Sequence, residues 1–168
     1  RGPIDVARLG SFKPLCQKKH IDWCLVDAGD RNAGLIKVVH RTANEKDPTL
    51  YRIHLNRNHE PVVQFVTLAH ELGHLFLGHL GPDKKLDIPV RSIADHATRE
   101  LEAESVAYIV CERNRVKSKS ETYLAHFVGA NTTADNLDVY RIMRAAGQVE
   151  NLLELSSNTQ FKAPAKRR

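Results

Sequence analysis

The stretch that most constrains this 168-residue chain is Thr67-Leu68-Ala69-His70-Glu71-Leu72-Gly73-His74, because it makes two demands at once. Its apolar residues need a helix buried against other elements, and its histidines need a shared open face. Residues four apart on a helix lie one above the other. His70 and His74 therefore aim two imidazoles at one point, and Glu71 sits beside that point without replacing either. Phe65, Ala69, Leu72 and Phe76 recur at helical spacing and mark a core stripe apart from the histidine face. The helix is expected over residues 61–77, with Pro61 in its first turn and Gly78, Gly81 and Pro82 as its stop.

Upstream, the chain reads as strands. Residues 1–20 contain Pro3, Gly10 and Pro14 as breakers and are expected to form a short helix or an extended arm. Residues 21–27 read as a strand with Trp23 and Leu25 on one face, and residues 29–34 as a turn. Residues 35–40 are strand-like in composition, and residues 49–56 alternate apolar with polar as a half-buried strand does. With the polar segment 42–48 between them, these two strands are expected to pair as a hairpin.

Downstream, the pattern becomes helical, which makes the fold class α+β. Ser92-x-x-Asp95 has the form of a cap for a second helix running to about Arg113, with Ala103, Val106, Ala107 and Val110 as its packing stripe. Glu100 and Glu104 stack on an adjoining face that Ala97 and Ala107 continue, and small residues there let another helix approach closely. Residues 80–91, bounded by Pro82 and Pro89, lie between the two helices and are a candidate cleft rim. Ser118-Lys119-Ser120-Glu121 is a capping box for a short third helix that turns Tyr123, Leu124, Phe127 and Val128 inward and stops at Gly129. A fourth helix over residues 134–155 is expected to bury Val139, Ile142, Met143, Ala146, Val149 and Leu153.

Composition bounds the rest. Apolar content of 42% with 27% charged residues suits a globular chain with one core, expected as a single domain over 1–156. Residues 157–168 are expected to be a basic, disordered tail. No run approaches the length of a membrane span, so no membrane partner is expected. The first residues lack both a signal-peptide core and an initiator Met, as in a fragment or a processed chain. Cys16, Cys24 and Cys111 are odd in number with no C-x-x-C pair, so buried free thiols in a reducing cytoplasm are expected. Of the net charge of +5, Lys162, Lys166, Arg167 and Arg168 supply four, leaving 5 − 4 = 1 for the rest of the chain. Such a tail can touch phosphates, but a nucleic-acid partner is only weakly supported by charge confined to a terminus.

Two histidines leave a zinc site incomplete. Catalytic zinc takes three protein ligands with one position open, and hydrolysis needs a carboxylate near the water there, which Glu71 can supply. The candidates for the third ligand are Glu100, Glu102 and Glu104. Two helical steps turn a side chain by about 200°, so Glu100 and Glu102 cannot both face the ion. Glu100 and Glu104 can share a face, one binding the metal and the other hydrogen-bonding a ligand histidine. His79, five residues after His74, is rotated away on a helix and is expected to be structural or exposed.

The string His70-Glu71-Leu72-Gly73-His74-Leu75-Phe76-Leu77-Gly78-His79, followed by Glu100-x-x-Ala103-Glu104-x-x-Ala107, resembles the ImmA/IrrE family of zinc metallopeptidases. That family is grouped with the gluzincins, in which a downstream helix supplies a glutamate ligand. The resemblance spans roughly residues 50–155. It implies a small N-terminal sheet or hairpin packed on a mainly helical zincin-like domain. It also implies Zn2+ held by His70, His74 and Glu100, with Glu104 bonding a ligand histidine, Glu102 the alternative third ligand and Glu71 the general base. Tyr108, Tyr123, His79 and His96 are the candidate oxyanion donors. The implied partner is a protein substrate, such as a transcriptional repressor that silences stress or mobile-element genes. The stretch from Tyr123-Leu124-Ala125 to Ala145-Ala146-Gly147-Gln148 also resembles the C-terminal peptidase-like domain of ArdC-type antirestriction proteins. The alternative function is then a zinc-bearing regulatory or antirestriction module that binds DNA or protein with little catalysis.

Overall fold

The computed structural model describes residues 4–29, 32–92, 94–117 and 137–155. Within them the chain is α+β, with helices α1 (Val6–Gln17), α2 (Pro61–Phe76), α3 (His96–Arg113) and α4 (Val139–Leu152) around strands β1 (Ile21–Val26), β2 (Gly34–His40) and β3 (Leu50–Asn56). The expected third helix and the basic tail lie outside the described residues.

β2 and β3 pair antiparallel, as the hairpin reading expects. β1 lies on the other side of β3 in parallel, which gives the order β1-β3-β2. Central β3 buries Tyr51, Ile53 and Leu55 on alternate positions, while edge strand β2 alternates half-buried with exposed residues. On β1, Trp23 is buried but Leu25 is exposed, because the strand's far end runs past the core. Asn56 closes the sheet end: its amide donates to the carbonyls of Gly29 and Asn32, and its own carbonyl accepts from Gln64 of α2.

Helix α2 is the axis of the core. It packs on α3, α4, α1, β2 and β3, so its buried surface exceeds the one stripe expected. Leu68 and Leu75 are as buried as Phe65, Ala69 and Leu72. Pro14 does not break the N-terminal segment. It lies inside α1, whose burial of Leu9, Phe12 and Cys16 outweighs the one backbone bond a proline removes. Cys16 and Cys111 are buried free thiols, and Cys24 is half-buried.

Two helices start later than expected. Asp95, not Ser92, caps α3: its carboxylate accepts from the Thr98 N–H at 2.9 Å and the Thr98 hydroxyl at 2.9 Å. Asp138 caps α4 through the Arg141 N–H. The buried face of α4 comprises Ile142, Ala145, Ala146, Val149 and Glu150, and Val139 and Met143 are exposed. The core claims the face centred on Ala146 and Val149, which turns Met143 outward. Buried Glu150 is met by Asn114 at 3.1 Å and Arg113 at 3.3 Å.

Two glycines set the spacings that frame the site. A Cβ on Gly34 would lie 2.6 Å from the His54 carbonyl oxygen and 2.6 Å from Thr67 Cγ2, so the side chain must be absent for β2 to lie against both β3 and α2. A Cβ on Gly73 would meet Val106 at 3.2 Å and the Ala103 carbonyl at 3.3 Å, where α2 and α3 approach most closely. Gly34→Ala should therefore cost about 1–3 kcal/mol, as overpacking does. Gly10→Ala, in open space on the exposed side of α1, should be neutral or stabilising by up to about 1 kcal/mol. Urea unfolding of the two variants checks this, and equal losses at both positions would contradict the packing assigned to Gly34.

Candidate metal centre

The site is made by two helices pressed together. α2 presents His70 and His74 one turn apart, and α3, held close by Gly73 against Ala103 and Val106, presents Glu100 opposite them. The two Nε2 atoms of His70 and His74 face each other at 3.1 Å. Glu100 spans them, with Oε2 3.4 Å from His70 Nε2 and Oε1 3.4 Å from His74 Nε2. One donor atom from each of His70, His74 and Glu100 lies within 4.8 Å of the others. All three side chains are partly exposed, so one side of the cluster is open to solvent.

These donors suit zinc. Zinc–ligand bonds of about 2.0–2.2 Å at tetrahedral angles place neighbouring ligand atoms about 3.3–3.5 Å apart, close to the 3.1 and 3.4 Å separations here. Electrostatics point the same way. Burial disfavours a charge on His70, but hydrogen bonds to Glu100 and Glu104 and the charge of Glu71 outweigh it and raise the imidazole to about 9. Burial pushes Glu71 up to about 7, with Glu100 adding repulsion. Bonds to His70 and His74 hold the Glu100 carboxyl far below the usual range. The cluster thus has more carboxylate than its own imidazoles neutralise, and a divalent cation would relieve that excess. Burial lowers His74, against the bond to Glu100, which keeps its imidazole toward the neutral form a metal needs.

The remaining residues divide clearly. Glu104 lies 3.1 Å from His70 Nδ1 through Oε2, so a proton on Nδ1 leaves the Nε2 lone pair pointing at the cluster. Glu71 is buried beside the cluster and accepts from the Ile36 backbone N–H. Glu102, the alternative third ligand, is on the other side of α3. It is buried and binds Arg91 through two bonds of 2.8 and 3.2 Å, and His79 Nε2 at 2.7 Å. His79 is not rotated away: its Nδ1 lies 2.7 Å from His74 Nδ1 and its side chain is 3% exposed. The reason is the helix end. α2 stops at Phe76, Gly78 takes φ +79°, and the His79 N–H returns to the His74 carbonyl, folding the residue back on the last turn.

Sequence reasoning missed Arg91 and the roles of His79 and Glu102. Two signals were present: Gly78 after the helix foretells a fold-back, and Glu102 shares a face with buried Val106 and Val110 at four-residue spacing. Of the candidate oxyanion donors, His79 has both ring nitrogens engaged, and His96 is largely exposed with Nδ1 3.8 Å from Glu100. Tyr108 is half-buried on α3, and Tyr123 lies outside the described residues. Loop residues 80–91 pack against the end of α2 and the sheet: Arg91 bonds the Leu77 carbonyl, and the Tyr51 hydroxyl donates to Asp83 at 2.9 Å. Among the described residues no helix is long and apolar enough to cross a membrane.

No curated protein and no solved structure matches the chain. Residues 31–111 match the model of the peptidase family described as IrrE N-terminal-like domain, a match that ends before residues 123–148 and supports the ImmA/IrrE family for the segment holding His70, Glu71, His74 and Glu100.

Proposed function

We propose that this chain is a zinc-dependent metallo-endopeptidase that hydrolyses a peptide bond of a protein substrate. The observation that carries this reading is the convergence of His70, His74 and Glu100 with a buried carboxylate, Glu71, beside them. His70, His74 and Glu100 would hold the metal. When bound, zinc supplies a Lewis acid that polarises a carbonyl and makes water acidic near neutral pH. Glu71 then acts as general base. Burial raises it to about 7, so it can take a proton from water and return one to the leaving amine at neutral pH. Glu104 orients His70 through Nδ1.

A polypeptide suits the site better than a small molecule because of β2. The Ala33 carbonyl accepts from Asn56 of β3, so strand alternation turns the Ile36 N–H the other way, toward Glu71. Among the described residues that edge of β2 pairs with no strand. An extended peptide added there would lie along the carboxylate. The ImmA/IrrE resemblance makes a transcriptional repressor of stress or mobile-element genes the first substrate to try, and the free cysteines suit a reducing cytoplasm as the compartment.

Zinc-loaded protein incubated with such repressors should release defined fragments, read by mass spectrometry, and a chelator should stop their appearance. Intact repressors with a fully zinc-loaded protein would instead favour the alternative, a zinc-bearing regulatory or antirestriction module that binds its partner without cutting it.

A further inference from the structure

We propose that His79 is a positioning residue, which with Glu102 and Arg91 locks His74 in the tautomer that points a bare Nε2 at the metal. The inference rests on the metal-centre reading above and concerns how one ligand is held rather than whether it binds.

The direction of each hydrogen bond follows from what each group can do. Arg91 has only donors; two go to Glu102, at 2.8 and 3.2 Å, and a third contact reaches the Leu77 carbonyl at 3.1 Å. Glu102 is therefore an acceptor whose charge the guanidinium balances inside the protein, its side chain 2% exposed. The metal-centre reading puts His74 Nε2 on the metal, and an imidazole bound there carries its N–H on Nδ1, so His79 has to face it with a lone pair. A neutral His79 has one N–H, and it belongs on Nε2, which faces Glu102 Oε2 at 2.7 Å. That leaves a lone pair on His79 Nδ1. The facing atom, 2.7 Å away, is His74 Nδ1, and two like nitrogens can bond only if one of them donates. His74 must therefore carry its proton on Nδ1. Its Nε2 is left bare, facing His70 and Glu100.

The arrangement has no equivalent on His70, where Glu104 meets Nδ1 directly. For His74 the carboxylate lies one imidazole further out. The intervening ring transmits the orientation because it donates at one nitrogen and accepts at the other. Without His79, the Nδ1 of His74 has no fixed partner, and the ring can place its proton on Nε2, where it competes with the metal.

The test reads tautomers and metal affinity rather than catalysis. In zinc-loaded wild-type protein with 15N-labelled histidine, long-range 1H–15N correlation should find His74 protonated at Nδ1 and His79 protonated only at Nε2. This measurement needs no variant, so it stands even if substitutions impair folding. Zinc affinity is then measured by chelator competition. His79→Leu, which fills the space without either bond, should weaken binding roughly 10–100-fold. His79→Gln, which keeps a donor and an acceptor on one planar group, should recover most of that loss. A protonated His79 Nδ1 in the wild type, or equal zinc affinity for wild type and His79→Leu, would overturn the proposal while leaving the metal centre standing. Zinc retained by the His70→Ala/His74→Ala double variant would overturn the metal-centre reading itself, and this inference with it.

Discussion

Glu100→Ala should abolish tight zinc binding, and the His70→Ala/His74→Ala double variant should do the same. Each removes at least one of the three donors that converge within 4.8 Å, and a site left with two protein ligands or fewer falls below the minimum of a catalytic zinc centre. Two measurements check it. Metal analysis after dialysis should find about one zinc per chain in the wild type and none in the variants. Thermal unfolding should show a zinc-dependent gain only in the wild type, about 2.7 kcal/mol when free zinc is 100 times its dissociation constant. The neighbouring glutamates separate the roles. Glu104→Ala should weaken zinc roughly 10–100-fold, because it frees His70 Nδ1 without touching the cluster. Glu102→Ala should cost about 3–5 kcal/mol of stability, because it strands the Arg91 charge and one nitrogen of His79, and should weaken zinc only through His79, no further than His79→Leu does. Zinc release by Glu102→Ala in a protein of unchanged stability would return Glu102 to the ligand set and displace Glu100.

What was legible in the sequence was what short-range periodicity encodes. The histidine pair, the α2 core stripe and the β2–β3 hairpin each depend on residues a few positions apart, and each is found where the pattern puts it. The stacking of Glu100 over Glu104 was readable for the same reason, and so was the close helix approach, once Gly73 is set against the small residues of α3. The misses share a different cause. Nothing local tells β1 to lie parallel to β3 rather than beside β2, since that choice depends on where α1 and α2 pack. Helical geometry carried past the true end of α2 sent His79 the wrong way, although one glycine with positive φ reverses the chain there. Glu102 looked like a competing ligand because its partner, Arg91, comes from the loop before α3 and is invisible to helix periodicity. On α4, a stripe drawn from apolar identity alone took in Val139 and Met143 and passed over Glu150, whose buried carboxylate meets Asn114 and Arg113 from the end of α3.

Glu71→Gln should separate hydrolysis from binding. The substitution keeps the size of the side chain, and Gln can still accept from the Ile36 N–H, so the fold and the metal site should persist. It removes the group that takes the proton. A glutamine amide has no basicity at any working pH, whereas the Glu71 carboxyl, raised to about 7 first by its burial, is placed to gain and release a proton near neutrality. Cleavage of the true substrate should fall by about 10²–10⁴-fold, the usual loss on removing a general base, with zinc content and unfolding midpoint close to wild type. The assay pairs metal content with fragment release, and with the downstream cellular response where the substrate is a repressor. Retained zinc with lost cleavage and lost response supports the endopeptidase. Retained zinc with an unchanged response would mean that the chain acts by binding, and the buried carboxylate would then need another role. The histidine cluster makes no such distinction by itself, because an enzyme and a zinc-bearing module need the same three donors. Glu71 is the residue on which the two readings diverge, since only a hydrolase needs a proton acceptor held dry beside an open metal position.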